Sequence, residues 1–93
     1  MLRASYIYII TNKGRTIFYT GVTTNLAKRI TQHKLGIGSK FTQRYNIKDL
    51  IYFEKFSDVN QAIDREKQLK NWHRKWKINL IKTINPTLKT LEY

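Results

Sequence analysis

Few residues of this 93-residue chain have side chains suited to hydrolytic chemistry. The chain has no cysteine, and its two histidines, His33 and His73, lack the spacing of a zinc site. It also lacks a glycine-rich phosphate-binding motif. Of the six carboxylates, most fall at predicted element ends or on a wet helix face, which leaves Glu66 as the candidate and Glu54 as a weaker second.

A single carboxylate can still take part in phosphodiester hydrolysis. Mg²⁺ accepts sites made of one or two carboxylates, several waters and the phosphate oxygens of a substrate. Tyr8 and Tyr19 can donate or accept hydrogen bonds, and either hydroxyl could orient an attacking water. With an ordinary pKa of about 10, a tyrosine becomes a useful base only if neighbouring positive charge lowers that pKa.

Residues 5–22 are predicted to form an antiparallel hairpin that carries both tyrosines. Two β-branched and aromatic runs, at residues 5–10 and 17–22, flank a turn of Asn, Lys, Gly and Arg. Tyr8 and Tyr19 lie near the middle of the two runs. Gly21 follows the second tyrosine at a position where a strand glycine often marks a bulge or a close approach.

A helix is predicted next, from an N-cap at Thr24 or Asn25 to about Lys34. Arg29 and His33 are four residues apart, so they point the same way along one edge of its apolar stripe. That stripe consists of Leu26, Ala27 and Ile30.

Residues 35–45 contain two glycines and no clear periodicity, which predicts a loop with a short helical turn near its end. The cations and aromatic residues of this loop are Lys40, Phe41, Arg44 and Tyr45. Such a mixture suits phosphate contacts and stacking on an unpaired base. The alternative is that Phe41 and Tyr45 pin the loop to the core.

Residues 49–56 predict a third strand, and its nearly continuous apolar run indicates cover on both faces. In the helix that follows, Asp58 and Gln61 have the spacing of a capping box. At about 100° per residue, Glu66 falls in the middle of the apolar stripe, whereas Asp64 points to the opposite side. The stripe consists of Val59, Ala62, Ile63 and Leu69.

A carboxylate directed toward a core costs on the order of several kcal/mol of desolvation unless a cation or hydrogen-bond donors meet it. A positive group is therefore expected beside Glu66. The candidates are a metal ion, Arg29, and Lys70 four residues further along the same helix. Position alone leaves both a structural salt bridge and a functional carboxylate open.

Residues 72–84 predict the last helix, which Asn85 ends because the residue before a proline avoids the α region. The tryptophans are predicted to be core anchors rather than base-stacking platforms. The series predicted to be buried is Trp72, Trp76, Leu80 and Ile84. The cations predicted to lie in water are Arg74, Lys75, Lys77 and Lys82.

These elements predict an α/β (α+β) fold of one domain over residues 1–93, with a three-stranded antiparallel sheet flanked by helices in the order β-β-α-β-α-α. A hydrophobic content of 41% with 13% aromatic residues is typical of a folded chain rather than a disordered tail. The absence of an apolar run of membrane length, of a signal peptide and of cysteine predicts a soluble cytoplasmic protein without disulfides.

Charge is the strongest compositional signal. Lysine and arginine number 18 against 6 acidic residues, a formal net charge of +12. Such an excess favours nucleic acid as a partner, because each phosphate neutralised by a cation releases condensed counterions. An anionic membrane surface and a solubilising surface are the alternatives.

Two tripeptides of the predicted hairpin, Tyr6-Ile7-Tyr8 and Tyr19-Thr20-Gly21, resemble the two halves of the GIY-YIG nuclease signature. The match continues downstream at Arg29, His33, Glu66 and Asn85. Tyr6 stands where the signature has glycine and Thr20 where it has isoleucine, but neither position supplies a reacting group in that family. The resemblance covers nearly the whole chain. The chain is most similar to the small standalone GIY-YIG proteins that consist of this one domain.

This resemblance implies an endonuclease dependent on Mg²⁺ or Mn²⁺ that acts on DNA rather than RNA, or on a branched or damaged nucleic-acid structure. It implies Tyr8 as the general base, Tyr19 as its partner at the scissile phosphate and Arg29 as the clamp on the phosphorane. His33 would orient water or phosphate, and Glu66 would hold the metal.

Further residues are expected to support the site or to bind nucleic acid. Gly21 is a supporting residue, and the resemblance implies that Asn85 closes the site. The residues expected to bind nucleic acid are Lys40, Phe41, Arg44, Arg74, Lys75 and Lys77. A non-catalytic nucleic-acid-binding module and a nuclease domain that a partner protein targets are the alternative functions.

Overall fold

The computed structural model describes residues 4–93. Its elements are β1 (Ser5–Thr11), β2 (Phe18–Thr23), α1 (Leu26–Lys34), α2 (Lys40–Arg44), β3 (Asp49–Phe56), α3 (Val59–Lys70) and α4 (Arg74–Lys82). The strands form a three-stranded antiparallel sheet in the order β2-β1-β3. The predicted fold is confirmed, and α2 is the short helical turn expected in the loop.

The central strand β1 sets the register of both neighbours. Tyr8 is paired with Gly21 on β2 and with Phe53 on β3. Between Ile9 and Ile10 the register to β3 shifts, so that Ile51 is left over as a bulge.

Both faces of the sheet are covered, as the apolar run of β3 indicates. On one face, α3 and α4 pack over the sheet, and the buried cluster there includes Ile7, Ile9, Ala62, Leu69 and Ile81. On the other face, α1 packs over the sheet, and the buried cluster there includes Tyr8, Ile10, Leu26, Ile30 and Leu50. Because successive side chains of a strand alternate between faces, Tyr8 points toward α1.

Helix α1 buries a slightly different stripe from the predicted one. Its N-cap is Asn25, whose side chain accepts a hydrogen bond from the N–H of Lys28. The prediction of Ala27 in the stripe was wrong, since Ala27 is exposed. The buried positions are Leu26, Ile30 and His33, which are spaced by four and three residues and so share one face.

Helix α3 begins after Asp58, whose side chain caps it by accepting from the N–H of Asn60. Among the hydrogen bonds of residues 4–93, none returns from Gln61 to complete the predicted capping box. Val59 is exposed rather than buried, and the buried stripe begins one turn later at Ala62. As predicted, Asp64 faces solvent.

Helix α4 departs most from prediction. It is shorter than residues 72–84, and its buried residue is Ile81. Trp76 is 54% exposed and Ile84 is 65% exposed, so the prediction that both are buried was wrong. Trp72 and Leu80 are half-buried against the core. The helix thus meets the sheet through its last turn, and Trp76 lies on its outer side.

The segment after α4 returns along the edge strand β3. Asn85 Nδ2 donates to the carbonyl oxygens of Ile51 and Lys89, at 2.9 Å each. The N–H of Leu91 donates to the carbonyl of Leu50 at 2.7 Å. The tail therefore covers backbone groups of β3 that an edge strand would otherwise expose. In the described part of the chain, no helix is long and apolar enough to cross a bilayer.

Candidate active site

Tyr8 is the buried centre of the residues that could do chemistry. Its side chain extends from β1 over the neighbouring strand β2 and covers Gly21. A Cβ atom at Gly21 would collide with the ring and hydroxyl of Tyr8. The close approach predicted at Gly21 is therefore confirmed, with a side chain as the neighbour.

A directional chain of hydrogen bonds runs through the Tyr8 hydroxyl. Arg29 Nε donates to the Tyr8 oxygen at 3.2 Å, and the same oxygen lies 3.0 Å from His33 Nε2. The Tyr8 oxygen accepts from Arg29, because a guanidinium nitrogen can only donate. Thr42 Oγ1 donates its proton to the carbonyl of Ser39 and therefore accepts from His33 Nδ1, 3.2 Å away. The ring proton of His33 is thus on Nδ1, and Nε2 is left to accept the hydroxyl proton of Tyr8.

The surroundings of His33 favour this neutral tautomer. The imidazole is 2% exposed, and a Cβ at Gly38 would collide with it. Burial, helped by the charge of Arg29, lowers the pKa of His33 to about 4. The ring is thus neutral at any pH well above this value.

The electrostatics of Tyr8 differ from the expectation that positive charge would lower its pKa. Burial raises the pKa of Tyr8, and the hydrogen bond and charge of Arg29 only partly oppose this effect. Tyr8 is therefore protonated at neutral pH. It can act as a base only while its own proton moves to His33.

Tyr19 stands beside this chain at the solvent side. Its side chain is half-buried, with ring centroids 6.4 Å from Tyr8 and 5.9 Å from His33. The structure thus brings together four of the predicted side chains: Tyr8, Tyr19, Arg29 and His33.

Glu66 approaches the same region from α3, which packs mainly against β1 and β2. Its charge is one of those that raise the pKa of Tyr8, so the carboxylate lies within electrostatic reach of that hydroxyl. Its side chain is 17% exposed, and Lys70 Nζ lies 3.7 Å from Oε1. Of the cations considered for Glu66, the structure shows Lys70 as its partner.

The donor set at Glu66 suits a cation that keeps most of its water. Residues 4–93 contain no group of three His, Cys, Asp or Glu side chains that could hold a metal. A divalent ion at Glu66 would therefore take its other ligands from water and phosphate, as Mg²⁺ readily does. No hydrogen bond between described residues occupies the Glu66 oxygens, and the Lys70 contact is longer than a hydrogen bond. The carboxylate is thus available, and it fits such an ion.

A polar groove of about 660 Å³ opens beside Arg29. Its lining consists of Val22, Thr23, Thr24, Asn25, Lys28, Arg29 and Gln32. Gln32 Oε1 accepts from Arg29 Nη1 at 3.1 Å and so helps to orient the guanidinium. Sequence reasoning missed Lys28 and Gln32. Helical spacing was the available signal, because Gln32 is three residues after Arg29 and four after Lys28. It also missed Thr42, whose role depends on how α2 packs.

The other predicted residues lie around this centre or away from it. Lys40, Phe41 and Arg44 are exposed on α2, and the ring of Phe41 lies next to that of Tyr19. On α4, Arg74 donates to the carbonyls of Thr16 and Arg15, Lys75 is exposed and Lys77 is half-buried. Asn85 contacts the backbone of Ile51 and Lys89 rather than any of the four clustered side chains.

Burial, with a contribution from the charge of Lys70, lowers the pKa of Lys77. Lys77 therefore lies close enough to Lys70 to sense its charge.

Comparison with known proteins gives concordant matches. The family model described as the GIY-YIG catalytic domain matches residues 4–79. A UPF0213 protein of Staphylococcus haemolyticus is 38% identical over 76 residues, covering 82% of this chain and 92% of that protein. A UPF0213 protein of Clostridium perfringens is 40% identical over 77 residues, covering 83% and 82%. The solution NMR structure of a UPF0213 protein from Bacillus halodurans matches with a TM-score of 0.59 and 28% identity, covering 90% of this chain and 88% of that one.

Proposed function

We propose, from the premise that this chain belongs to the GIY-YIG family, that it is a metal-dependent endonuclease that hydrolyses phosphodiester bonds in DNA or structured nucleic acid. The observation that carries the proposal is the chain of hydrogen bonds from Arg29 through Tyr8 to His33. A module that only binds nucleic acid needs exposed cations. It does not need a buried tyrosine whose proton is aimed at a neutral histidine.

In this proposal the substrate phosphate enters the polar groove beside Arg29. Lys28 and Arg29 line that groove, and a guanidinium can form two parallel hydrogen bonds to phosphate oxygens. When Arg29 turns from Tyr8 to the phosphate, the Tyr8 oxygen becomes free to accept from water. Tyr19, at the solvent side, orients that water.

The proton then moves along the chain that the structure contains. The attacking water gives a proton to the Tyr8 oxygen as Tyr8 gives its own proton to His33 Nε2. The water oxygen bonds to phosphorus, the bond to the leaving oxygen breaks, and that oxygen takes a proton from solvent. Thr42 keeps Nδ1 protonated, so Nε2 stays the accepting nitrogen.

Glu66 is the residue proposed to hold the cation, either Mg²⁺ or Mn²⁺. When bound, such an ion supplies charge stabilisation at the phosphate oxygens. With such an ion bound, Glu66 would no longer have Lys70 as its partner. The ammonium, 52% exposed in its side chain, can then move into water at little cost.

The decisive experiment incubates the protein with plasmid, single-stranded DNA and RNA, with and without Mg²⁺. We expect cleavage that requires the ion and that falls at least about 100-fold in Tyr8→Phe and in Glu66→Gln, in line with the loss of one general-base or electrostatic contribution.

Asp64→Asn is the matched control, because it removes an exposed carboxylate from the same helix. Its cleavage rate should equal that of the wild type. Full cleavage by Tyr8→Phe and Glu66→Gln would reject the assignment of these two residues. Binding without cleavage on every substrate would instead favour the binding module, or a nuclease that requires its partner protein.

A further inference from the structure

A row of three aromatic rings leads outward from the candidate active site. The rings of Tyr19 and Phe41 are stacked, with centroids 6.3 Å apart and 28° between their planes. Phe41 and Tyr45 follow at 5.0 Å and 55°. Phe41 is 46% exposed and Tyr45 is 41% exposed, so both outer residues are partly open to solvent. The alternative that both rings are pinned in the core does not describe them.

The short helix that carries these rings is firmly attached to the site. Ser39 and Thr42 form a reciprocal capping box at the start of α2. Thr42 is buried, and its hydroxyl contacts His33 Nδ1. Phe41 is therefore positioned by the same hydrogen bonds that orient the proposed proton acceptor. Rings held in place in this way lose little conformational freedom when a ligand stacks on them.

The charge around the rings matches a polyanion. The first acidic residue of the chain is Asp49, so α1 and α2 contain cations and no carboxylate. The guanidinium of Arg44 lies 5.5 Å from the centre of the Tyr45 ring. Lys40 is exposed on the same helix. Aromatic faces within a basic surface are the combination that binds single strands, because each base can stack while the cations track the phosphates.

The pairing state of the substrate decides whether such rings can be used. In the interior of a duplex, both faces of each base are covered by the neighbouring bases, so an exposed protein ring has nothing to stack on there. An unpaired nucleotide presents a free face at little cost. We propose that Phe41 and Tyr45 form a stacking platform, continuous with Tyr19, for an unpaired DNA base beside the scissile phosphate. The preferred substrate is then single-stranded DNA or a duplex with unpaired nucleotides, which deepens the proposed function and rests on it.

The test is binding of fluorescent oligonucleotides in EDTA, where no metal supports cleavage. The probes are a 20-nucleotide oligothymidine, a blunt duplex of equal length, and that duplex with a short single-stranded flap. We expect the wild-type protein to bind the single strand and the flap more tightly than the blunt duplex.

Substitutions then distinguish stacking on the Phe41 ring from a general contribution of exposed apolar side chains to binding. Phe41→Leu keeps an apolar contact with Tyr19 but removes the ring, and we expect its affinity for the single strand to fall about 5- to 160-fold, the range for losing one stacked base. Its affinity for the blunt duplex should stay unchanged. Phe41→Trp should retain the preference.

Ile37→Ala and Trp76→Leu are the matched controls. Ile37 is an exposed aliphatic residue of the same loop, and Trp76 is an exposed aromatic residue on α4. Both variants should bind like the wild type. Equal affinity for single strand and duplex, or loss of the preference in Trp76→Leu rather than Phe41→Leu, would overturn the proposal. Because binding is measured without metal, a failed platform is distinguishable from a failed nuclease, which the cleavage assay tests with oligonucleotides that bind.

Discussion

The neutral His33 follows from its place in α1. The spacing that puts Leu26 and Ile30 against the sheet also buries residue 33, and a buried imidazole favours its uncharged form. Hydrogen bonds to Tyr8 and Thr42 satisfy both ring nitrogens, so burial leaves neither unpaired. One residue thus serves the packing of the helix and the proposed proton transfer.

His33 should make the stability of the protein depend on pH. Its pKa is about 4 in the folded protein and about 6.5 when unfolded, so the unfolded state binds more protons between these values. Its contribution is therefore complete above pH 6.5 and is lost as the pH falls toward 4. Urea unfolding at pH 7 and pH 5 should show a loss of about 2 kcal/mol that His33→Gln lacks. His73→Gln, a change at an exposed histidine, should leave the loss intact.

Gly21→Ala should destabilise the protein and reduce any cleavage. The added Cβ collides with the ring of Tyr8, which is enclosed and cannot move without cost. We expect a loss of about 1–3 kcal/mol in the free energy of unfolding, the usual cost of overpacking. Gly14→Ala is the control, because a Cβ there would lie 3.8 Å from Thr16, an ordinary contact. Equal stability of Gly21→Ala and wild type would contradict the position of Tyr8.

Lys70→Met tests the proposed ion at Glu66. Removal of the ammonium 3.7 Å from Oε1 takes away a competitor for the carboxylate. Since an exposed ion pair is worth about 0.2–1 kcal/mol, the affinity for Mn²⁺ should rise about 1.5- to 5-fold. Titration of Mn²⁺ by electron paramagnetic resonance gives the affinity without any cleavage. Lys67→Met, on the exposed side of the same helix, should leave it unchanged.

At the scale of the elements, β1, β2 and α1 carry the four clustered side chains, α2 adds the contact of Thr42 with His33, and α3 carries Glu66. The hairpin and α1 were predicted closely because their patterns are local: a β-rich alternation, a turn and an N-cap. The prediction failed on α4, where two apolar series at helical spacing compete. The series with Trp76 and Ile84 looks amphipathic, but the sheet selects the side with Ile81.

The observed rotation of α4 has a direct consequence for stability. Ile81→Ala should cost about 2–5 kcal/mol in the free energy of unfolding, because it leaves a cavity in the core. Trp76→Gln should change the free energy by less than about 0.5 kcal/mol, as is usual for exposed positions. Thermal or urea unfolding of both variants measures this. A larger loss for Trp76→Gln than for Ile81→Ala would instead support the predicted orientation of α4, in which Trp76 is buried.

At the scale of the whole molecule, residues 85–91 hydrogen-bond to the first turn and to the edge strand β3. Arg15, far away in the first turn, donates from Nε to the carbonyl of Leu88 at 3.0 Å. Together with the bonds of Asn85 and Leu91, this contact ties the tail to the hairpin and to β3. A domain of this size buries a small core, so such polar ties weigh heavily in its stability.

Asn85→Ala should therefore destabilise the protein without touching the clustered tyrosines. It leaves the carbonyls of Ile51 and Lys89 without their donor, at a cost of about 1–3 kcal/mol. Asn79→Ala, at an exposed position of α4, is the control and should be near neutral. If Asn85→Ala kept full stability but lost cleavage, the role in closing the site that the resemblance implies would be favoured instead.

Local pattern was enough for the order of the elements, the family resemblance, the basic character and the candidate residues, because each depends on neighbours along the chain. Only the tertiary structure decided four features. They are the position of α1 against Tyr8, the partner of Glu66, the buried side of α4 and the hydrogen bond between Thr42 and His33. These features join residues that are far apart in sequence, and no periodicity records which side chain a distant helix will meet. The tertiary structure also decides the direction of the Tyr8 proton. It requires that Arg29 and His33, one turn apart on α1, both meet the Tyr8 hydroxyl on β1.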